Sequence, residues 1–118
     1  MNKKMQEIEI ENYIIVIYSI LLLIYLYANT IEVEYLKYQN KADKEKYRLL
    51  LYIVFGITFV IALYYTIGGI NNLKEPSNKE IHKLKELSVT ANVLIVFATI
   101  IYLYIIYKDE EIILEVNP

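Results

Sequence analysis

Residues 49–70, LLLYIVFGITFVIALYYTIGGI, contain no Asp, Glu, Lys, Arg or His. A helix rises about 1.5 Å per residue, so a run of this length crosses the roughly 30 Å hydrocarbon core of a bilayer. Two further runs share the property: 12–31, NYIIVIYSILLLIYLYANTI, and 87–107, LSVTANVLIVFATIIYLYIIY. Inside hydrocarbon every backbone amide and carbonyl needs a partner, and a helix provides one within the segment itself. The expected fold is an all-α integral membrane protein with three antiparallel transmembrane helices.

Outside these spans lie an N-terminal dozen residues, two connections and a C-terminal tail. None is long enough to bury a core of its own, since chains below about 40 residues rarely do so unaided. Residues 1–118 are therefore expected to form a single three-helix domain. The chain has no Cys, which excludes disulfides and thiolate metal sites. Its net charge of −2 and the lack of a dense basic stripe argue against nucleic acid as a partner. The first span is not expected to be a cleaved signal peptide. Glu7, Glu9 and Glu11 precede it, and no small-x-small site follows it.

The pattern also places the helix ends. Beyond Asn29, the positions Ile31, Tyr35, Tyr38 and Ala42 keep to one helical face, which predicts a continuous helix from about Met5 to Gln39. Asn40 is expected to stop it in a left-handed conformation, and Asp43 to cap the next helix. That helix is expected from about Lys44 to Ile67 or Gly69, halted by Gly68-Gly69. Ser77 and Glu80 have capping-box spacing, predicting a third helix from about Asn78. Helices 1 and 3 would then extend beyond the bilayer.

Thirteen Tyr and no Trp give the chain its aromatic character. Tyr64, Tyr65, Tyr104 and Tyr107, with Tyr13, Tyr25, Tyr27, Tyr52 and Tyr102, fall near span ends, where a ring and its hydroxyl are both satisfied at headgroup level. Lys79, Lys83 and Lys85 flank an amphipathic stretch, 78–87, suited to the lipid headgroup layer. His82, among these lysines, is expected to have no ligand or relay role. The tail contains Asp109, Glu110, Glu111 and Glu115 with Ile112, Ile113, Leu114 and Val116, and is expected to dock on a neighbour. Orientation is balanced. Lys3, Lys4, Lys74, Lys79, Lys83 and Lys85 lie on one side, and Lys37, Lys41, Lys44, Lys46, Arg48 and Lys108 on the other. Acidic residues, concentrated on the second side, tip the expectation to an N-terminus inside and a C-terminus outside the cell membrane.

Helices in lipid associate through small residues and shared hydrogen bonds. Thr58, Ala62, Thr66 and Gly69 form one such candidate face, and Ser88, Asn92 and Thr99, flanked by Ala91 and Ala98, form another. No ionisable residue falls within a span, which disfavours a proton or ion path. Phosphate loops and metal-ligand spacings are lacking too, so no metal, cofactor or catalytic residue is expected. Asn29-Thr30-Ile31-Glu32 resembles a shortened Asn-(Ser/Thr)-Ala-Ile-Glu motif of bacterial diacylglycerol kinases, which are similar in size and span number. It lacks the Ala, ends span one where the family's motif precedes the last span, and has no second acidic partner in the family's pattern. The resemblance would imply a lipid-modifying enzyme. Class I phage holins are similar in architecture, but their tails are typically basic. The expected role is a small non-catalytic membrane protein acting through helix–helix association, as an accessory subunit or an immunity-type partner-binding protein. Its partners would be membrane lipids and either further copies or a larger membrane protein. The alternative is a homo-oligomeric pore-forming or permeabilising protein, holin-like or a toxin effector.

Overall fold

The computed structural model describes residues 2–108. Their regular structure is entirely helical, in three elements: α1 Lys3–Tyr38, α2 Lys41–Leu73 and α3 Lys79–Lys108. All three are long and apolar enough to cross a membrane. The tail expected to dock, 109–118, lies outside the described residues.

Each helix end has a local chemical cause. Asn2 caps α1, its Oδ1 accepting from the Met5 amide at 2.8 Å. The same helix ends one residue before the predicted stop. Gln39, not Asn40, adopts the left-handed conformation (φ 55°, ψ 34°), and its amide donates to the Tyr35 carbonyl at 2.7 Å. Asn40 is thereby freed to cap α2. Its Oδ1 accepts from the Ala42 amide at 2.9 Å and its carbonyl accepts from Lys44 at 3.3 Å. Asp43, expected to be the cap, sits inside the first turn, where its charge meets the positive end of the helix dipole. Similarly, Asn78 replaces Ser77 as the cap of α3, with its Oδ1 2.8 Å from the Ile81 amide. Asparagine caps at least as well as serine, so the start moves one residue on.

The largest departure from expectation is at Gly68-Gly69, which do not end α2. The helix continues through both and through Asn71-Asn72 to Leu73, and neither glycine has a positive φ. Two interior glycines cost roughly 1 kcal/mol each relative to alanine. Ending the helix there would leave its last carbonyls without helical partners beside an apolar run, a larger cost for each group left unpaired. The helix closes instead with tight turns from Lys74 to Asn71 and from Glu75 to Asn72, both 3.2 Å, just before Pro76.

The chain packs as two units that divide within α2, between Val54 and Phe55. In the first unit the Lys46 Nζ donates to the Tyr27 hydroxyl at 2.6 Å, and Tyr47 pairs with Glu32. In the second, α2 and α3 meet along their length. Phe55 stacks on Tyr102 with ring centroids 4.9 Å apart, Gly69 lies against Val89, and the Lys85 Nζ donates to the Asn72 carbonyl at 3.3 Å.

Gln39 is a side-chain-bearing residue in the left-handed region, where only glycine is free of steric cost. Gln39→Gly should raise stability by about 0.5–1 kcal/mol, read as a higher midpoint in thermal unfolding of the detergent-solubilised protein.

Candidate functional site

The buried residues trace a 3.5-residue rhythm on each helix. On α3 the buried and half-buried positions include Lys85, Val89, Asn92, Val96, Thr99, Leu103 and Ile106, alternating four and three apart, with His82 and Val93 half-buried as well. On α2 they include Tyr47, Leu51, Val54, Thr58, Ile61 and Tyr65, and on α1 Ile14, Leu21, Ala28 and Tyr35 recur every seven. This is the spacing of helices that keep one seam turned toward a neighbour. It was present in the sequence, but the uniformly apolar runs gave it no contrast against the exposed positions.

The predicted packing residues divide on this basis. On α2, Ala62 and Thr66 are buried, and Thr58 and Gly69 are half-buried. On α3, Thr99 is buried and Asn92 half-buried, whereas Ser88, Ala91 and Ala98 are exposed. The polar members close onto their own helix. Thr66 Oγ1 donates to the Ala62 carbonyl at 2.7 Å, Thr99 Oγ1 to the Val96 carbonyl at 2.8 Å, and Asn92 Nδ2 to the Ser88 carbonyl at 3.1 Å. Back-bonding of this kind removes the cost of a hydroxyl or amide in an apolar setting without a second helix. Gly69 has the sharpest steric requirement. A Cβ there would stand 2.8 Å from the Val89 Cγ2, whereas at Gly56 and Gly68 it would meet nothing within 4 Å.

The residues predicted for the headgroup layer are mostly outward. Tyr64, Tyr104 and Tyr107 are exposed, and Tyr65 is half-buried with its ring 5.4 Å from that of Tyr64, edge to face. Lys79 and Lys83 are exposed, while half-buried Lys85 neutralises a carbonyl at the end of α2. His82 Nε2 lies 3.0 Å from a Glu86 carboxylate oxygen, one turn along the same helix.

A second polar group, not singled out by the motif search, gathers where spans one and two approach the first connection. Lys46 donates to Tyr27, which holds the exposed ammonium above its ordinary pKa, with further help from Asp43 and Glu34. The Arg48 guanidinium lies 5.8 Å from the centre of the Tyr52 ring. Tyr47 is 7% exposed, and its hydroxyl donates to the Glu32 carboxylate. Burial, then the Glu32 charge and hydrogen bond, push the Tyr47 phenol well above its ordinary range, so it stays a neutral donor. The other carboxylate oxygen of Glu32, Oε2, is buried without a hydrogen-bond partner. Among the described residues no group of three His, Cys, Asp or Glu could hold a metal ion.

No known protein family, curated protein or solved structure matches this chain.

Gly69→Ala should destabilise by about 1–2 kcal/mol, and adding Val89→Ala should recover most of the loss. Gly68→Ala, with open space for its methyl, should be neutral or stabilising by up to about 1 kcal/mol. Chemical unfolding in mixed micelles measures all three. Tyr47→Phe removes the hydroxyl that donates to Glu32 and should cost about 1–3 kcal/mol in the same assay.

Proposed function

We propose that this chain is a multi-pass integral membrane protein with three antiparallel spans, whose role is non-catalytic association with another membrane polypeptide. The contacts of α2 with α3 support the antiparallel reading. Phe55–Tyr102, Gly69–Val89 and Asn72–Lys85 pair residues that rise along one helix and fall along the other. Helices of 36, 33 and 30 residues exceed the roughly 20 that a bilayer core requires, which supports extensions beyond it.

One observation carries the association reading. The apolar segment of α3 is the least covered by the chain itself, 11% buried against 22% in α1 and 28% in α2. Beside its buried seam α3 presents Ser88, Ala91 and Ala98, all exposed, at spacings that keep small residues on one side. Small residues let two backbones approach closely, and in lipid close packing is what holds helices together. Lipid fills such a groove poorly, whereas a second helix fills it well.

Native mass spectrometry of the protein extracted from its host in nanodiscs should show a complex with a second, larger polypeptide. Ala98→Leu should abolish that complex while changing the stability of the isolated chain by less than about 0.5 kcal/mol, because the position is exposed. A closed ring of identical copies, with dye leakage from liposomes, would replace this reading with the permeabilising one.

A further inference from the structure

α1 turns one seam inward: Ile14, Leu21 and Ala28 are buried and Tyr35 half-buried, each seven residues from the next. Two places on from each of them, about 200° around the helix, stand Val16, Leu23, Thr30 and Lys37, all exposed. Ser19, Leu26 and Val33 are exposed too and fill this outer face at alternating spacings of three and four, the rhythm of a helix that pairs along its length. Its hydroxyls are already satisfied. Ser19 Oγ donates to the Ile15 carbonyl at 3.0 Å and Thr30 Oγ1 to the Leu26 carbonyl at 3.2 Å. An apolar surface can therefore cover the face without stranding a polar group.

Charge identifies what covers it. The face begins at exposed Glu9 and ends at exposed Lys37, on opposite sides of span one, and its midpoint, Leu23, falls within two residues of the middle of the run 12–31. A second α1 laid alongside in the same direction sets Glu9 against Glu9 and Lys37 against Lys37. Laid in the opposite direction, it sets Glu9 against Lys37 at both ends of a two-fold contact, with the two Leu23 side chains at its centre. An opposed pair requires copies inserted both ways, and the basic residues permit this on the membrane reading proposed above. Span one has five Lys or Arg on the side of the first connection, Lys37, Lys41, Lys44, Lys46 and Arg48, against Lys3 and Lys4 on the other. Span three has Lys74, Lys79, Lys83 and Lys85 before it, against Lys108 after it. Positive flanks stay on the cytoplasmic side, and Asp and Glu weigh little in this balance. Span one thus draws the first connection inside and span three the second, although these connections lie on opposite sides. Either orientation satisfies one span and opposes the other, by the same excess of three charges. We propose that this chain inserts in both orientations and that two opposed copies pair through the outer face of α1, which leaves α3 open to the other polypeptide.

The chain has no Cys, so single cysteines report position cleanly. Tyr38→Cys and Ser77→Cys, beside the first and second connections, replace exposed residues without altering the charge count. In intact cells an impermeant maleimide should label about half of each reporter, and all of it after permeabilisation. Full external labelling of one reporter and none of the other would overturn the inference. In the Tyr38→Cys reporter, Ser77→Lys should raise the outside-to-inside ratio about fivefold and Lys83→Gln should lower it about fivefold. A ratio that neither change moves would count against it equally. Pairing is read by producing Asn12→Cys and Val33→Cys copies together, since both residues are exposed on this face near opposite ends of the span. Mild oxidation should give the mixed 12–33 disulfide between copies. Disulfides only between like copies, or none at all, would rule out the opposed pair. Release of the wild-type chain by alkaline carbonate would overturn the membrane reading itself, a result distinct from one-sided labelling of a carbonate-resistant chain.

Discussion

Three long uncharged runs have no side chains to pair their backbone amides and carbonyls, and this constraint accounts for most of the structure. Each long apolar run forms helix over its whole length because any interruption would leave amides and carbonyls unpaired. The same constraint carries α2 through Gly68-Gly69, a pair that would end many helices in water. It also explains why the hydroxyls of Thr66 and Thr99 and the amide of Asn92 bond to carbonyls of their own helix. Within the described residues the helices end only outside the apolar runs, at Gln39, after Leu73 and before Asn78. There, amide and carbonyl groups can be capped by asparagine side chains or met by solvent.

Helix continuity does not by itself hold helices together. On the membrane reading proposed above, burying one apolar side chain against another gains little, because water is absent from both the associated and the separated state. Shape then decides. Gly69 accommodates Val89 because it has no Cβ, and Phe55 and Tyr102 stack at an interplanar angle of 18°. The 3.5-residue seam follows from the same need, since it keeps complementary surfaces facing one another along a long helix. α3 uses its seam but leaves its small residues Ser88, Ala91 and Ala98 uncovered, which is why the proposed association is placed on that helix.

Around the first connection, Glu32, Tyr47, Tyr27 and Lys46 form a polar group. Glu32 is held by a tyrosine whose ionisation is suppressed by the same burial, so the carboxylate has a stable neutral donor on one side. Its unpaired Oε2 is the one buried side-chain acceptor among the described residues without a partner.

The amino-acid sequence by itself determined the number of helices, their all-α character and the bounds of α1 and α3 to within a few residues, though not the end of α2, because three uncharged runs leave the backbone one way to satisfy itself. It also marked Gly69, Ala62, Thr66, Asn92 and Thr99 as residues to watch. Which residue caps each helix was decided by competition between adjacent candidates: Asn40 prevailed over Asp43 and Asn78 over Ser77, by margins too small for a pattern to resolve. The inward side of α3 was decided only by tertiary packing. Nearly every position of its long apolar segment is hydrophobic, so the contrast that reveals a core face is lost. Ser88 and Asn92, one turn apart, therefore read as one face in the sequence and separate into outside and inside in the structure. The pairing of Glu32 with Tyr47 likewise joins residues from two helices, and only the packing of α1 beside the start of α2 brings their polar atoms together.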